Sequence, residues 1–346
     1  MQAASPAPLS AQEASEAREA GERLLDGLNA LILGQQVLTR QVVVAALAEG
    51  HVLLQGLPGL GKTEMVKGLA RLLGLKFRRV QFTPDLLPGD ITGGHVLQET
   101  AQGRDFVFRP GPVFTQVLLA DEINRASPKT QSALLEAMAE RRVTVLGETR
   151  ELPRPFFVLA TQNPIEMEGT YPLPEAQLDR FLFRVEVPGI GAETMQRIIL
   201  ERRHGQPPEP APVADEKTLL RFQGCAGRLH FPRAVAGWVA RLCAASHPDA
   251  PGAHDLVRRC VRYGASPRAA IAIAEAARAE ALLGGKTTVG FDDVRRVALP
   301  ALNHRLILDY RARLDGVTPR AVVEALLAAV PELGEPAPAE VRDAAR

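Results

Sequence analysis

The first two hundred residues alternate short apolar runs with stretches of helical periodicity. Leu24, Leu25, Leu28 and Ile32 share one helical face, which predicts a helix over Ala11–Leu33. Another helix is expected between Gly34 and Gly50. The apolar runs that follow are typical of buried strands in a mainly parallel sheet. They predict strands at His51–Gln55, Phe77–Gln81, Val117–Ala120, Phe156–Ala160 and Phe181–Val187.

Two stretches interrupt this alternation. Residues 83–110 carry Pro, Gly and Asp before an alternating Asp-Phe-Val-Phe-Arg, which indicates an insertion containing a hairpin. Residues 142–154 read as strand, turn at Gly147 and strand, and so predict a second hairpin.

The second part of the chain is predicted to be helical. A proline-rich segment, 205–213, marks a linker at which the strand-like runs stop. We therefore expect an α/β domain over 11–204 and a smaller all-helical domain over 214–330, with disordered tails at 1–10 and 331–346.

Composition narrows the class of protein. A length of 346 residues fits two domains, and a net charge of +1 disfavours a surface built to coat nucleic acid. The cysteines Cys225, Cys243 and Cys260 form no CxxC pair, so they predict reduced, buried thiols rather than a zinc site or disulfides. Neither a secretory signal nor a run of 18 apolar residues is present, and the expectation is a cytoplasmic protein without membrane insertion.

A glycine-rich loop carries the strongest chemical signal. It fits G-x-x-x-x-G-K-[ST], follows the strand His51–Gln55 and precedes a predicted helix, Thr63–Leu73. Glycines let backbone N–H groups curl around phosphates, and the helix N-terminus adds positive potential. A glycine-rich turn that binds nothing is the alternative, which the strand-loop-helix context disfavours. The predicted nucleotide-binding residues are Gly56, Leu57, Pro58, Gly59, Leu60, Gly61, Lys62 and Thr63.

Two carboxylates follow the strand Val117–Ala120. Asp121 at the strand's carboxyl end can hold Mg²⁺, together with the Thr63 hydroxyl, and Glu122 can orient the attacking water or accept its proton. A surface turn with two ordinary acids is the competing interpretation, although the order of the motifs along the chain favours the site.

Three further polar residues carry weaker local signals. Asn163 follows a strand and can bond both phosphate and water, yet Asn before Pro is also a common turn former. Arg180 could stabilise phosphate charge or be an ordinary surface arginine. Arg268 follows Ser266-Pro267, a helix-start pattern that would fix it near a phosphate across the domain cleft, unless it belongs to a solvated basic face.

With these motifs assembled, the chain resembles the MoxR family of AAA+ ATPases over roughly residues 24–330. The resemblance rests on HVLLQGLPGLGKT (51–63), LLADEINRA (118–126), SPKTQSALLEAM (127–138), ATQNP (160–164) and EGTYPLPEAQLDRF (168–181). Residues 302–308, LNHRLIL, resemble the family's final lid helices.

The resemblance implies roles that spacing does not. Lys62 and Thr63 match Walker A, and Asp121 and Glu122 match Walker B. The other matched positions are Asn163 as sensor 1, Arg180 as the arginine finger offered to a neighbouring subunit, and Arg268 as sensor 2. The insertion at 83–110 resembles the helix-2 insert, and the hairpin at 142–154 resembles the pre-sensor-1 hairpin.

The family further implies ATP and Mg²⁺ as cofactors and a homo-oligomeric ring, usually a hexamer. Its members work with von Willebrand A domain partners as chaperones that mature metalloenzymes or other complexes. A ring-shaped nucleic-acid motor is the alternative, disfavoured by the near-neutral charge. A small-molecule kinase is disfavoured by the Asp121-Glu122 pair, because a kinase site excludes water.

Overall fold

The computed structural model describes residues 7–57, 59–100, 103–163, 169–202 and 209–333. Most of the predicted 1–10 tail, part of the 205–213 linker and most of the 331–346 tail lie outside these ranges. Within the described ranges, no helix is both long and apolar enough to cross a membrane.

A five-stranded parallel sheet forms the centre of the first domain. Its strands are β1 Val52–Gln55, β2 Phe77–Gln81, β5 Val117–Asp121, β8 Phe157–Gln162 and β9 Phe183–Glu186. The order is β2-β5-β8-β1-β9, and every observed pairing is parallel. The strand predictions are confirmed, although β9 begins two residues later than expected. Because the strands are parallel, the segments after β1, β5 and β8 meet at one edge.

Each face of the sheet covers its own core. Alternate residues point to opposite faces, so Leu54 and Leu119 lie in one buried cluster while Leu53 and Leu118 lie in the other. The helices of this domain are α1 Ala11–Leu31, α2 Gln36–Leu47, α3 Lys62–Leu72, α4 Pro88–Thr92, α5 Pro128–Glu140, α6 Glu175–Leu178 and α7 Ala192–Glu201. Helix α1 is fixed at its start by a capping box between Ser10 and Glu13.

Both predicted hairpins are confirmed. The first pairs β3 Gly93–Thr100 with β4 Gly103–Pro110, and the second pairs β6 Arg142–Val145 with β7 Glu148–Glu151. The second turns at Leu146 and Gly147, which both have positive φ, 51° and 83°. The Arg150 guanidinium lies 4.1 Å from the centroid of the Phe108 ring, so the two hairpins are in contact.

The second domain, hereafter the lid, is helical as predicted. Its helices are α8 Glu216–Arg228, α9 Arg233–Ala245, α10 Asp255–Cys260, α11 Pro267–Leu283, α12 Phe291–Leu302, α13 Tyr310–Leu314 and α14 Pro319–Ala329. All three cysteines are buried and unpaired, in agreement with the sequence interpretation.

Two details of the lid differ from expectation. A short antiparallel pair, β10 Val261–Tyr263 and β11 Ile307–Leu308, lies among the helices. The 302–308 segment is not helical beyond Leu302, where α12 ends; a turn follows, and its Asn303 and His304 side chains contact the backbone of the first domain. Helix α1 also contacts both α3 and the lid helix α11, so the boundary between the domains stays a prediction.

The buried histidine His51 is expected to make the stability of the fold depend on pH. The Val158 N–H donates to His51 Nδ1 at 3.1 Å, so Nε2 carries the proton and faces the Met138 carbonyl at 3.3 Å. Complete burial lowers the His51 pKa to about 4, against about 6.5 in an unfolded chain.

His51 is protonated in the unfolded chain below about pH 6.5. In the folded chain it stays neutral down to about pH 4. The free energy of unfolding should therefore fall by roughly 1 kcal/mol per pH unit between these values. Urea melts at pH 7 and pH 5 should show a smaller loss in a His51→Gln variant. An equal loss in both chains would mean that His51 makes no such contribution.

Candidate functional site

The glycine-rich loop lies between the end of β1 and the start of α3 at the carboxyl edge of the sheet. Gly59 and Gly61 have φ values of 83° and 78°, in the left-handed region that side chains other than glycine rarely adopt. Gly61 caps α3, whose first residue is Lys62. The N–H groups at a helix start form an anion site, so the loop fits phosphate; Pro58 lies outside the described residues.

Lys62 reaches back across this loop. Its Nζ donates to the Gly56 carbonyl at 2.5 Å. Burial lowers the pKa of Lys62, and the nearby Asp121 and Glu122 carboxylates oppose that shift. The ammonium is thus held at the phosphate loop and faces both acids.

Asp121 is the last residue of β5 and Glu122 follows it, one residue beyond the predicted strand end. Thr161 on the neighbouring β8 donates to Asp121 Oδ1 at 2.5 Å and accepts the Glu122 N–H at 2.8 Å. Glu122 has a φ of 55°, which is unusual for a residue with a side chain. One hydroxyl therefore fixes both the carboxylate of Asp121 and the strained backbone of Glu122.

Strand β2 supplies two further contacts to these acids. Arg79 donates to Asp121 Oδ2 at 2.6 Å, and Gln81 donates to Glu122 Oε2 at 2.8 Å. Arg125 also donates to Glu122 Oε2, at 3.0 Å. Within the described residues, the hydrogen bonds from Gln81 and Arg125 both end on Glu122 Oε2.

One cavity of about 490 Å³ contains the predicted catalytic and metal-binding side chains of this edge of the sheet. Its lining includes Lys62, Thr63, Asp121, Glu122 and Asn163. Asn163, after β8, is 8% exposed and faces the same space as the acids. Apolar side chains also line this cavity, namely Leu31, Ile32, Leu33, Ile190 and Ile198. A cavity that combines phosphate-binding groups with apolar lining residues fits a nucleotide.

Several residues of this cavity had no signal in the sequence interpretation. Arg79 and Gln81 belong to an ordinary strand, and Thr161 was noted only as part of the ATQNP match. The only clue was that parallel strands β2, β5 and β8 are neighbours, which brings their carboxyl ends together. Arg202 was also missed; it lines the cavity and donates to the Leu31 carbonyl at 2.5 Å.

Arg180 does not line the cavity. It is exposed between α6 and β9, and its Nη1 donates to the Leu135 carbonyl at 2.5 Å. It borders a separate cavity of about 560 Å³ with Ser132, Glu136, Glu140, Arg142 and Gln177 among the lining residues.

Arg268 also lies away from the nucleotide-sized cavity. Ser266 and Pro267 do begin α11 as predicted, with Ser266 at the N-cap. The Arg268 side chain is 74% exposed, however, and its Nη1 lies 3.7 Å from Asp179 Oδ2. The structure thus places Arg268 beside Asp179, the residue before Arg180, and Arg268 does not line the cavity that contains Lys62. Its contact with a phosphate across the domain cleft stays a prediction.

The residues present suit a nucleotide with a divalent cation. Mg²⁺ prefers oxygen ligands and is commonly held by one or two protein groups plus phosphate and water. The Thr63 hydroxyl and the Asp121 carboxylate line the same cavity and supply such ligands. Arg79 donates to Asp121 Oδ2 and would compete with the cation for that oxygen. The other oxygen, Oδ1, is oriented by the Thr161 hydroxyl.

Comparison with known proteins agrees with this geometry. The model of the ATPase family associated with various cellular activities (AAA) matches residues 51–183, and the AAA lid domain model matches residues 253–326. The chain is 43% identical to Chaperone MoxR1 of Mycobacterium tuberculosis, over 94% of this chain and 87% of that protein. It is 34% identical to Protein MoxR of Paracoccus denitrificans, over 88% of this chain and 94% of that protein.

A solved structure confirms the fold. The crystal structure of a candidate ATPase from Cytophaga hutchinsonii superposes with a TM-score of 0.85 at 34% identity, covering 92% of this chain and 97% of that one. Three findings together identify the family. The relatives match over most of the chain, family models match both domains, and a solved structure shares the fold. The chain belongs to the MoxR family of AAA+ ATPases, with a parallel-sheet nucleotide domain and a helical lid.

Proposed function

We propose that this protein hydrolyses ATP with Mg²⁺ and couples the reaction to the remodelling or maturation of protein complexes. The observation that carries the proposal is the convergence of Lys62, Asp121, Glu122 and Asn163 on one cavity. The name of the relative Chaperone MoxR1 supports action on other proteins.

Each residue has a distinct part in the proposed reaction. Lys62 meets the β- and γ-phosphates, and Thr63 and Asp121 hold Mg²⁺, which neutralises phosphate charge. Glu122 orients the attacking water and accepts its proton. Asn163 donates to the γ-phosphate and accepts from that water. Gln81 and Arg125 hold Glu122 towards the cavity.

We further propose a homo-oligomeric ring, a hexamer, in the cytoplasm. Support comes from the placement of Arg180, which is exposed and outside the cavity of its own subunit. An arginine finger supplied by another molecule contributes about 10³–10⁵ in rate. Arg268 lies on the same side as Arg180, so its sensor 2 role would also be exercised at a subunit boundary.

Client choice is proposed to rest on the two hairpins and on a von Willebrand A domain partner. The net charge of +1 gives no support to the alternative of a nucleic-acid motor. Measuring ATP turnover with and without added double-stranded DNA tests this directly: an unchanged rate is expected, and strong stimulation would favour the motor.

The two hairpin regions expose leucines that catalysis does not use. Leu87 is 64% exposed before α4, and Leu146 is 83% exposed at the tip of the second hairpin. Leu86, by contrast, packs against the core that contains Leu53 and Leu118. The same Leu→Ser change can therefore be made at two exposed positions, Leu87 and Leu146, and at the packed position Leu86 as a control.

Replacing Leu87 and Leu146 by Ser should leave the melting temperature and basal ATP turnover near those of the parent. The same double change should reduce the protein captured from cells by a Glu122→Gln chain in the presence of ATP, since exposed apolar side chains on loops commonly bind partners. Leu86→Ser should instead lower the melting temperature, because it buries a hydroxyl. Unchanged capture by the double variant would contradict a contact role for these leucines.

A further inference from the structure

A short lid segment after α12 contacts the backbone that leads into β9. We call Asn303-His304-Arg305 the lid clamp and Asp179-Arg180-Phe181-Leu182 the finger segment. The lid clamp and the finger segment lie more than a hundred residues apart along the chain.

Arg305 uses all five of its N–H groups, and four of them bond to the finger segment. Its Nε donates to Asp179 Oδ1 at 2.6 Å, and its Nη2 donates to the carbonyls of Asp179 and Phe181 at 3.0 and 2.9 Å. Its Nη1 donates to the Leu182 carbonyl at 3.1 Å and, within the lid, to the Ala301 carbonyl at 2.5 Å. The side chain is 5% exposed, so these are buried, charge-assisted bonds.

The other two members of the clamp extend the same contact. His304 Nε2 lies 3.0 Å from the Phe181 carbonyl, and Asn303 Nδ2 donates to the Arg184 carbonyl at 2.8 Å. Burial holds the pKa of His304 well below its usual value. The ring is therefore neutral, with one N–H that the Phe181 carbonyl can accept.

The finger segment is also fixed from the side of the first domain. Phe181 is fully buried in the sheet core, and the Leu182 N–H donates to the His51 carbonyl at 2.8 Å. The Arg180 N–H donates to Gln177 at 3.2 Å. Arg180 thus has an anchored residue on each side, and its guanidinium projects from a backbone that bonds to both the first domain and the lid.

We propose that Arg305 is a positioning residue that sets Arg180 for the neighbouring subunit's nucleotide and links that arginine to the placement of the lid. The inference rests on the proposed function of Arg180. It follows from geometry: Arg305 belongs to the lid and bonds to the backbone on both sides of Arg180, so a movement of the lid would strain or break those bonds.

If Arg305 had a purely structural role, its replacement would have a different effect on the kinetics. Arg305 does not line the nucleotide cavity of its own subunit. If it only joined the two domains, its replacement would lower stability without a specific effect on the chemical step. If it positions Arg180, its replacement lowers turnover while ATP affinity and KM stay unchanged, because a misplacement of about 1 Å can cost about 10²-fold.

Arg305→Lys is the informative variant, since it keeps the charge but cannot span Asp179 and three carbonyls. We expect kcat to fall by about tenfold or more, with the same dissociation constant for a fluorescent ATP analogue and the same ring mass by light scattering. Arg295→Lys is the matched control, because Arg295 is a lid arginine paired with Glu332. A full rate in Arg305→Lys would overturn the proposal.

Asp179→Asn provides a second test if Arg305→Lys folds poorly. It retains an oxygen that can accept from Arg305 Nε but removes the charge between Arg305 and Arg268. A smaller fall in kcat at constant KM is expected, because Arg305 keeps its bonds to the three carbonyls. A lowered melting temperature with unchanged kcat at a temperature where the chain is folded would assign the clamp to stability alone.

Mixed rings separate this proposal from the proposed function. Arg180→Ala subunits mixed with Glu122→Gln subunits should recover activity if Arg180 acts on the neighbour. Arg305→Lys subunits mixed with Glu122→Gln subunits should then recover as well, since the intact finger comes from the Glu122→Gln chain. Recovery only in the first mixture would overturn the clamp role alone, and recovery in neither would overturn the neighbour role and the clamp role together.

Discussion

A Glu122→Gln chain should bind ATP as tightly as the parent but hydrolyse it about 10²–10⁴-fold more slowly. The amide has nearly the shape of the carboxylate but cannot accept the proton of the attacking water. Its side chain faces Gln81 and Arg125, so one hydrogen-bond pattern at Oε2 can persist. Titration with a fluorescent ATP analogue and a phosphate-release assay measure the two quantities on the same protein.

Lys62→Ala is the control for that result. It removes the ammonium that lies over the phosphate loop, so both ATP affinity and turnover should fall. The two variants therefore lose activity for different reasons. Hydrolysis at the parental rate by Glu122→Gln would show that another group activates the water.

Arg180→Ala should lower kcat by about 10³-fold or more while ATP affinity stays that of the parent. The reason is positional: Arg180 lies outside the cavity that holds Lys62 and Glu122, so it does not contribute to binding within its own subunit. Steady-state kinetics and analogue binding on the assembled protein distinguish the two effects.

Arg142→Ala is a matched control for Arg180→Ala. Arg142 borders the same cavity of about 560 Å³ but is paired with Glu140, and both side chains are half exposed. Exposed ion pairs contribute little to stability, so this variant should turn over ATP at nearly the parental rate. Equal losses in both variants would indicate a general effect of positive charge at that surface rather than a specific role of Arg180.

The sequence was informative where one local pattern carries both structure and chemistry. The phosphate loop needs glycine at Gly59 and Gly61 because both have positive φ. Asp121 and Glu122 stand at the end of an apolar strand. In both motifs the residues that determine the local structure are adjacent to those proposed to carry the chemistry. The apolar runs also predicted a mainly parallel sheet, and Asp121 and Asn163 lie at the edge where the carboxyl ends of its strands meet.

Contacts between distant segments had no such signal. Arg79 and Gln81 alternate in an unremarkable strand, and only the pairing of β2 with β5 brings them to Asp121 and Glu122. Arg305 lies 126 positions from Asp179 along the chain. The sequence suggested a helix for its segment, whereas the backbone there is a turn whose side chains bond to the first domain.

Arg268 shows the same limit. Its helix start was predicted correctly from Ser266 and Pro267, because capping is local. Its surroundings depend on how the lid sits against the first domain, and there the side chain faces Asp179 instead of the phosphate loop.

ATP turnover per subunit, measured across a range of protein concentrations together with the particle mass, tests the central claim most directly. A site completed by Arg180 of a neighbour predicts a low rate for dilute monomers that rises to a plateau as rings form. The Arg180→Ala protein should stay near the lower rate at every concentration. A monomer that hydrolyses ATP at the full plateau rate would contradict the account.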